Sequence, residues 1–494
     1  MRILLASSEV HPYSKTGGLA DMVGALGKAL ARRGHQVGLV TPLYEGIREK
    51  FPDIRPLDLP LVLPMGETQK QGQVWVRNIN ERFTIYFIDQ PQFYMRPSLY
   101  QAADNQDYAD NAERFIFLSK TVVFLARHLE AAPELLHLHD WHLGLVPLLL
   151  QQECRRVNWP AAPRTCMTIH NLAYQGVFPS SQYPLTNLPW DYFTPDGVEF
   201  YGRFNCLKAG IAFADVVTTV SPRYAREILT PEFGCGLDGL LRHRDSALFG
   251  ILNGVDYEEW NTTRNPFLPQ PYSAEDLSGK IVDKLELQKQ MGLPADEGVP
   301  VFGTIGRLVE QKGVGIQLAA LEEMLGTALQ FVLLGSGESA FEQAYQALAK
   351  RYPSKVSIRI GYDQAVAHRI EAGADFFLMP SKFEPCGLNQ MYSLRYATIP
   401  IVRITGGLDD TVIDITEDPE HANGIKFGEY SSRALAKGIQ KALALHGEPE
   451  LMRHFRLNGM SADFSWDRTA QQYENAYRRA SLENLPAQAV KAKG

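Results

Sequence analysis

The sequence predicts an α/β protein made of two doubly wound, Rossmann-like parallel-sheet domains that face one another across a deep cleft. Three observations predict it. A strand, a glycine loop, a helix and a second strand follow in order between Arg2 and Thr41, and such βαβ units build parallel sheets. The same alternation returns from Val299 onward. An echo ties the halves together: Thr16-Gly17-Gly18-Leu19-Ala20-Asp21 recurs as Thr405-Gly406-Gly407-Leu408-Asp409-Asp410, each copy between a strand and a helix. In doubly wound sheets such loops lie at the carboxyl ends of the strands, where ligands bind.

Each element has a local reason. Arg2 to Ala6 is a short apolar run ending in Ser7-Ser8, the pattern of a buried strand. The polar loop Ser8 to Leu19 follows. Asp21 is expected to cap a helix whose Met22, Val23, Leu26 and Leu30 recur at helical spacing, and Gly34 to stop it. Val37 to Thr41 is the next strand. In the second half, Val299 to Thr304 and Leu329 to Leu334 read as strands around a helix at Gln317 to Leu325. Gly335-Ser336-Gly337 reads as a strand-to-helix turn before a helical stretch through Arg351. Val356 to Ile360, Phe376 to Met379 and Ile399 to Val402 are further strands. The stretch from Asn253 to Ser278, rich in Asn, Pro, Thr and Tyr, reads as an interdomain connection. A helix at Trp466 to Ser481 and a loose Lys/Ala/Gln tail end the chain. The expected division is 1–256, 257–464 and a terminal 465–494 whose helix packs back on the first domain.

Composition sets the limits. The 494 residues allow two to four domains at about 100–200 residues each. An apolar content of 45% with 21% charged residues is globular and argues against wholesale disorder. The net charge is −7, so nucleic acid or an anionic membrane is excluded as the main partner, and any anion must be met by local cations or N–H groups. The five scattered cysteines form no C-x-x-C pair. That excludes a disulfide framework and an all-cysteine zinc site, and suits a reducing cytoplasm. The apolar run at the N-terminus is too short for a signal peptide. The strongest internal run, Leu143 to Leu150, holds Gly144 and Pro147 and falls well short of the roughly 20 residues of a membrane span. The expectation is a cytoplasmic protein.

Several segments carry chemistry. A Gly-Gly pair lets backbone approach a ligand closely, and N–H groups at a helix start attract phosphate. Lys15 stands just before the first pair. Neither loop has Walker A or G-x-G-x-x-G spacing, so each also reads as a tight turn. Arg307 and Lys312, straight after a strand, suit a diphosphate clamp or a pair of surface cations. Glu384 falls between a strand and a helix, where an acid can accept sugar hydroxyls, stabilise an oxocarbenium ion, or answer a helix dipole. Cys386 reads as a small packed residue. In His137-Leu138-His139-Asp140-Trp141-His142 three histidines and an aspartate resemble metal ligands, but the spacing fits no metal motif and no metal is expected. His170 ends an apolar run, as a strand-end hydrogen-bonding group or a core histidine. Asp409-Asp410 reads as a capping pair.

In order and spacing these blocks resemble the bacterial glycogen synthase and plant starch synthase family, from about Arg2 to Tyr477. They include Lys15 to Leu19, His139 to His142, Thr168 to Gly176, Ser221-Pro222, Leu252 to Asp256, Gln311-Lys312-Gly313, Glu384 to Leu388 and Thr405 to Leu408. The resemblance implies a GT-B fold and retaining transfer of glucose from ADP-glucose to the non-reducing end of an α-1,4-glucan, with ADP released and no metal or other cofactor. It places the acceptor on the first domain and the donor on the second. It implies catalytic roles for Glu384, His170 and Asp140. Donor contacts would come from Lys15, Gly17, Gly18, Asn253, Arg307, Lys312, Tyr362 stacked on the base, Cys386, Gly387, Leu388, Thr405, Gly406 and Gly407. Asp110, Asn111 and Arg114 match the acceptor block. Retention is open between same-face attack through an ion pair and a protein nucleophile. Ala20, Ile404, Asn389 and Ala397 depart from the family pattern and bear on donor affinity and nucleotide choice. A UDP-glucose transferase, a phosphorylase needing pyridoxal phosphate, and a non-catalytic glucan- or nucleotide-sugar-binding relative are the alternatives.

Overall fold

A computed structural model describes residues 1–102, 106–159 and 161–482. The chain forms two compact units. The first holds Met1–Val220, Ala225–Gly254 and the helix from Trp466; the second holds Ser221–Tyr224 and Val255–Ser465.

Unit 1 contains β1 (Arg2–Ala6), β2 (Gln36–Pro42), β3 (Arg55–Met65), β4 (Thr68–Asn80), β5 (Phe83–Asp89), β6 (Leu135–His139), β7 (Arg164–Ile169), β8 (Val177–Pro179), β9 (Glu199–Phe200), β10 (Arg203–Asn205), β11 (Val216–Thr219) and β12 (Leu248–Gly250). Nine of them form one sheet in the order β12-β11-β7-β6-β1-β2-β5-β4-β3. It is parallel from β12 to β5, with β4 and β3 added antiparallel. The winding reverses between β1 and β6, so the chain leaves these two neighbours in opposite directions. Ile3 to Ala6 are buried, as are all residues of β6, because helices cover both faces of a parallel sheet.

The helix after β1 spans Gly18–Arg32 and buries Leu19, Met22, Val23, Leu26 and Leu30. It begins earlier than the sequence suggests. Gly17 is the N-cap, and Asp21 lies in the first turn, where it pairs with Lys15 instead of capping. Gly34 follows the helix end at φ +95°, a left-handed turn suited to glycine. The terminal helix Trp466–Leu482 is fixed within unit 1. Its Glu474 accepts from Arg33 Nε at 2.8 Å and lies 3.0 Å from His35 Nε2, while Tyr477 Oη meets His137 Nδ1 at 2.8 Å. The tail beyond it, expected to be loose, lies outside the described residues.

Unit 2 contains β13 (Val301–Leu308), β14 (Gln330–Gly337), β15 (Val356–Ile360), β16 (Phe376–Met379), β17 (Ile399–Arg403) and β18 (Ile425–Phe427). All run parallel in the order β15-β14-β13-β16-β17-β18, reversing between β13 and β16. Alternate residues feed two cores. Phe302, Phe331, Leu333, Phe376 and Leu378 join one; Val301, Val332, Leu334, Phe377 and Met379 join the other. A strand buried on both faces therefore reads as a continuous apolar run.

The two doubly wound sheets match the expected fold class. Some local expectations change. Gly335-Ser336-Gly337 is no turn: it continues β14 and pairs with Gly306-Arg307-Leu308. Asp409 and Asp410 lie inside the helix Gly406–Thr411 and do not cap it. Asp409 takes Lys426 Nζ at 2.8 Å, and Asp410 accepts the Arg223 N–H at 2.6 Å. The connection after Gly254 packs onto unit 2, where the Trp260 ring stacks on Tyr392 at 3.7 Å.

Candidate active site

In each unit some of the predicted site residues lie where the strand order reverses, while Asp110, Asn111, Arg114, Asn253 and Tyr362 lie elsewhere. Loops leaving neighbouring strands in opposite directions open a crevice at their carboxyl ends, the usual ligand site of doubly wound sheets.

In unit 2 the two strands are β13 and β16. The chain leaving β13 carries Lys312 in a short turn, Glu310–Lys312; the chain leaving β16 carries Ser381 and Glu384. Lys312 Nζ lies 2.6 Å from Glu384 Oε2, and Ser381 Oγ donates to the same oxygen at 2.9 Å. The Glu384 side chain is only 8% exposed. Both contacts fall on Oε2, which leaves Oε1 for another donor. The loops are also tied by backbone: Lys382 N–H donates to Gln311 O at 2.8 Å.

The second Gly-Gly pair lies against this acid. The Gly407 N–H reaches Glu384 O and Pro385 O, each at 3.1 Å. A Cβ on Gly406 would run into Glu384 O, and one on Gly407 into Cys386 O. Thr405 and Cys386 are buried beside them, and Gly387 turns at φ +70° ahead of Leu388 and the helix Asn389–Arg395. Asn389 Nδ2 donates to Ile305 O at 2.7 Å, so this departure from the family pattern ties the helix start to β13. Arg307 is exposed, with no side-chain hydrogen bond or ion pair among the described residues. The Tyr362 ring is 79% exposed.

In unit 1 the two strands are β1 and β6. Asp140, one residue past β6, has φ +58° and ψ −177°. That region is nearly closed to side chains and typically costs about 1–3 kcal/mol. The conformation aims Oδ1 at the His170 N–H, 2.7 Å away at the end of β7. Burial first, and then the negative charge of Glu9, push the Asp140 carboxyl up to about 7. Burial drives the His170 imidazole down to about 3, so it is neutral at physiological pH. Its Nε2 lies 3.1 Å from His139 Nδ1. His137 is a core group between Tyr477 Oη and Thr168 Oγ1, at 2.8 and 2.6 Å. His142 stacks on Trp141. No three His, Cys, Asp or Glu side chains gather to hold a metal ion among the described residues.

Lys15 Nζ pairs with Asp21 at 2.7 Å. Gly17 is extended and a Cβ there meets nothing within 4 Å. Asn253 Oδ1 is buried without a hydrogen-bond partner among the described residues, a state that typically costs about 1–3 kcal/mol when no ligand answers it. Asp110, Asn111 and Arg114 form a separate cluster. Asp110 takes Arg96 Nη1 at 2.8 Å, and Asn111 Nδ2 donates to Tyr100 O at 3.0 Å. Arg114 is fully buried and donates to Phe93 O, Asn111 Oδ1 and Leu99 O. It builds this loop from within.

Residues 2–243 match the family described as starch synthase catalytic domain, and residues 270–460 match glycosyl transferases group 1. The glycogen synthase of Anaeromyxobacter sp. (strain Fw109-5) is 50% identical over 479 residues, 97% of this chain and 99% of that protein. The chain belongs to the glycogen and starch synthase family. The glycogen synthase of Myxococcus xanthus (strain DK1622), 48% identical over 96% of this chain and 98% of its own, is another relative. Among solved structures, the catalytic domain of Starch Synthase IV from Arabidopsis thaliana, bound to ADP and acarbose, aligns with TM-score 0.88 at 34% identity, covering 97% of this chain and 99% of that one. The sucrose-phosphate synthase of Thermosynechococcus elongatus shares the fold at TM-score 0.59 and 20% identity, over 97% and 98% of the two chains.

Against this family background, three side chains were not read from the sequence as groups that hold the site: Ser381, which holds Glu384; Asp21, expected as a cap, which holds Lys15; and Glu9. Glu9 stands where the chain leaves β1, a few residues before the glycine loop. An acid directly after a buried strand was the only available signal.

Proposed function

We propose that this member of the glycogen and starch synthase family moves glucose from ADP-glucose to the non-reducing end of an α-1,4-glucan, with retention and release of ADP. The observation that carries the reading is the Lys312–Glu384–Ser381 constellation at the strand reversal of unit 2. It sets a cation beside a carboxylate, and those are the opposite charges that a diphosphate leaving group and a developing oxocarbenium ion need.

In the reaction the bond from glucose C1 to the diphosphate oxygen breaks, and the acceptor 4-hydroxyl forms the new bond to C1. The acceptor proton goes to the departing ADP. Arg307, Lys312 and Lys15 take up charge on the diphosphate. Glu384 keeps Oε2 on Lys312 and Ser381 and turns Oε1 to the glucosyl group. In unit 1, Asp140 and neutral His170 bind glucose hydroxyls, and the orphaned Asn253 Oδ1 accepts another. The exposed Tyr362 ring stacks on the base. Asp110 and Asn111 serve the acceptor, with Arg114 as their internal brace. The ADP and acarbose bound by the Arabidopsis relative support both ligand classes.

The test is initial rates with ADP-glucose and with UDP-glucose, each with and without glycogen, for wild type and Glu384→Gln. Glycogen-dependent ADP release, faster with ADP-glucose, is expected, and Glu384→Gln should lose about 10³-fold in kcat, as for other key electrostatic groups. Faster use of UDP-glucose, or an unimpaired Glu384→Gln, contradicts the assignment.

A further inference from the structure

Glu9 is a buried anion surrounded by the wrong sign of charge. It is 3% exposed and has no ion pair among the described residues. The charged and titratable groups facing it are Asp21 from the helix Gly18–Arg32, Asp140 from the end of β6, and the phenols Tyr44 and Tyr100. Tyr44 Oη donates to Ser8 O, and Tyr100 Oη meets Ser8 Oγ at 2.7 Å, closing the pocket beside it. The nearby ammonium of Lys15 is on Asp21 instead. Burying a carboxylate without a cation is costly unless donors converge on it.

Two donors do converge, both from Thr16 of the glycine loop. The Thr16 N–H donates to Oε2, Thr16 Oγ1 lies 3.0 and 2.9 Å from the two oxygens, and the nearby Gly17 N–H also favours the charged form. A carboxylate accepts both the Thr16 N–H and the Thr16 hydroxyl, whereas a glutamine keeps one acceptor and its NH2 reverses the bond to the hydroxyl. With the Thr16 N–H occupied, the N–H groups left for a ligand lie at the helix start, where Gly17 is the N-cap and Gly18 the first residue.

We propose that Glu9 is the positioning residue of this loop: its carboxylate fixes Thr16 so that Lys15 and the first N–H groups of the helix are presented to the diphosphate of the donor. The inference rests on the donor reading above and adds to it a residue that touches no substrate. Burial holds the Glu9 carboxyl up to about 7, so it begins to protonate near neutrality and loses part of its acceptor capacity as the pH falls.

The experiment compares wild type, Glu9→Gln and Glu9→Ala by ADP affinity in calorimetry, thermal midpoint, and tryptic cleavage after Lys15. Near pH 8, Glu9→Gln should bind ADP about tenfold more weakly and Glu9→Ala more weakly still. Trypsin should cut both variants faster at Lys15, while the midpoint of Glu9→Gln is no lower than wild type. Toward pH 6, the gap between wild type and Glu9→Gln should narrow as Glu9 protonates. Unchanged ADP affinity with unchanged cleavage overturns the proposal. So does a loss of affinity that merely follows a lowered midpoint in Glu9→Gln. If wild type binds no ADP, the donor reading fails; faster cleavage in the variants then still supports Glu9 as the group that holds the loop.

Discussion

The two Thr-Gly-Gly-Leu loops are spelled alike and placed alike, yet their glycines answer different demands. At Gly406 and Gly407 the protein itself leaves no room: a Cβ would enter the backbone of Glu384 and Cys386. Their lack of side chains lets one loop lie directly on the segment that carries the acid. At Gly17 a Cβ meets nothing within 4 Å, and the backbone is extended, open to any residue. That loop is held by a titratable side chain, Glu9, and its free space faces solvent. A shared glycine pair thus meets a packing demand in one unit, while at Gly17 in the other the folded chain leaves open space. Only the packing role is enforced by the folded chain alone.

The largest expected effect breaks the packed loop. Gly407→Ala should destabilise unit 2 by about 3 kcal/mol or more, since backbone cannot yield as a side-chain tip can, and denaturant melts will read it. A smaller effect distinguishes how the loops are held. Glu9 has its carboxyl near 7 when folded against an ordinary value of 4.5. The folded state therefore binds more protons between those values, and stability falls as pH rises from about 4.5 to about 7. Glu9→Gln should flatten that slope by about 2–3 kcal/mol across the window, leaving the similar contribution of Asp140 in place. Urea melts at a series of pH values will show whether the flattening occurs.

Much of this was legible in the sequence because parallel strands buried on both faces leave apolar runs with glycine loops behind them. Five of the six unit 2 strands were located within a few residues at each end. The antiparallel β3 to β5 stretch was not read. Pro56, Pro60 and Pro64 interrupt its strand signal, yet β3 is the sheet edge, where proline is tolerated. The start of the first helix was misplaced because Asp21 looks like a cap, whereas its partner is Lys15, a contact spacing does not reveal. The site motifs were legible as words. What they touch was not: Lys312 and Glu384 meet from 72 residues apart. Arg114 carries a recognisable motif but is buried within its own loop. Glu9, without a motif of its own, became visible only through the donors that surround it.

The smallest expected effect on stability gives the most direct test of the difference between the loops: thermal unfolding of Gly17→Ala, with and without ADP. Without ligand, the midpoint should stay within about 2 °C of wild type, the range of a Gly-to-Ala change at an N-cap. With ADP, the stabilisation seen in wild type should be mostly lost, because the added methyl stands where the ligand must approach. A midpoint already lowered without ligand, or a full ADP-induced rise, would contradict the account.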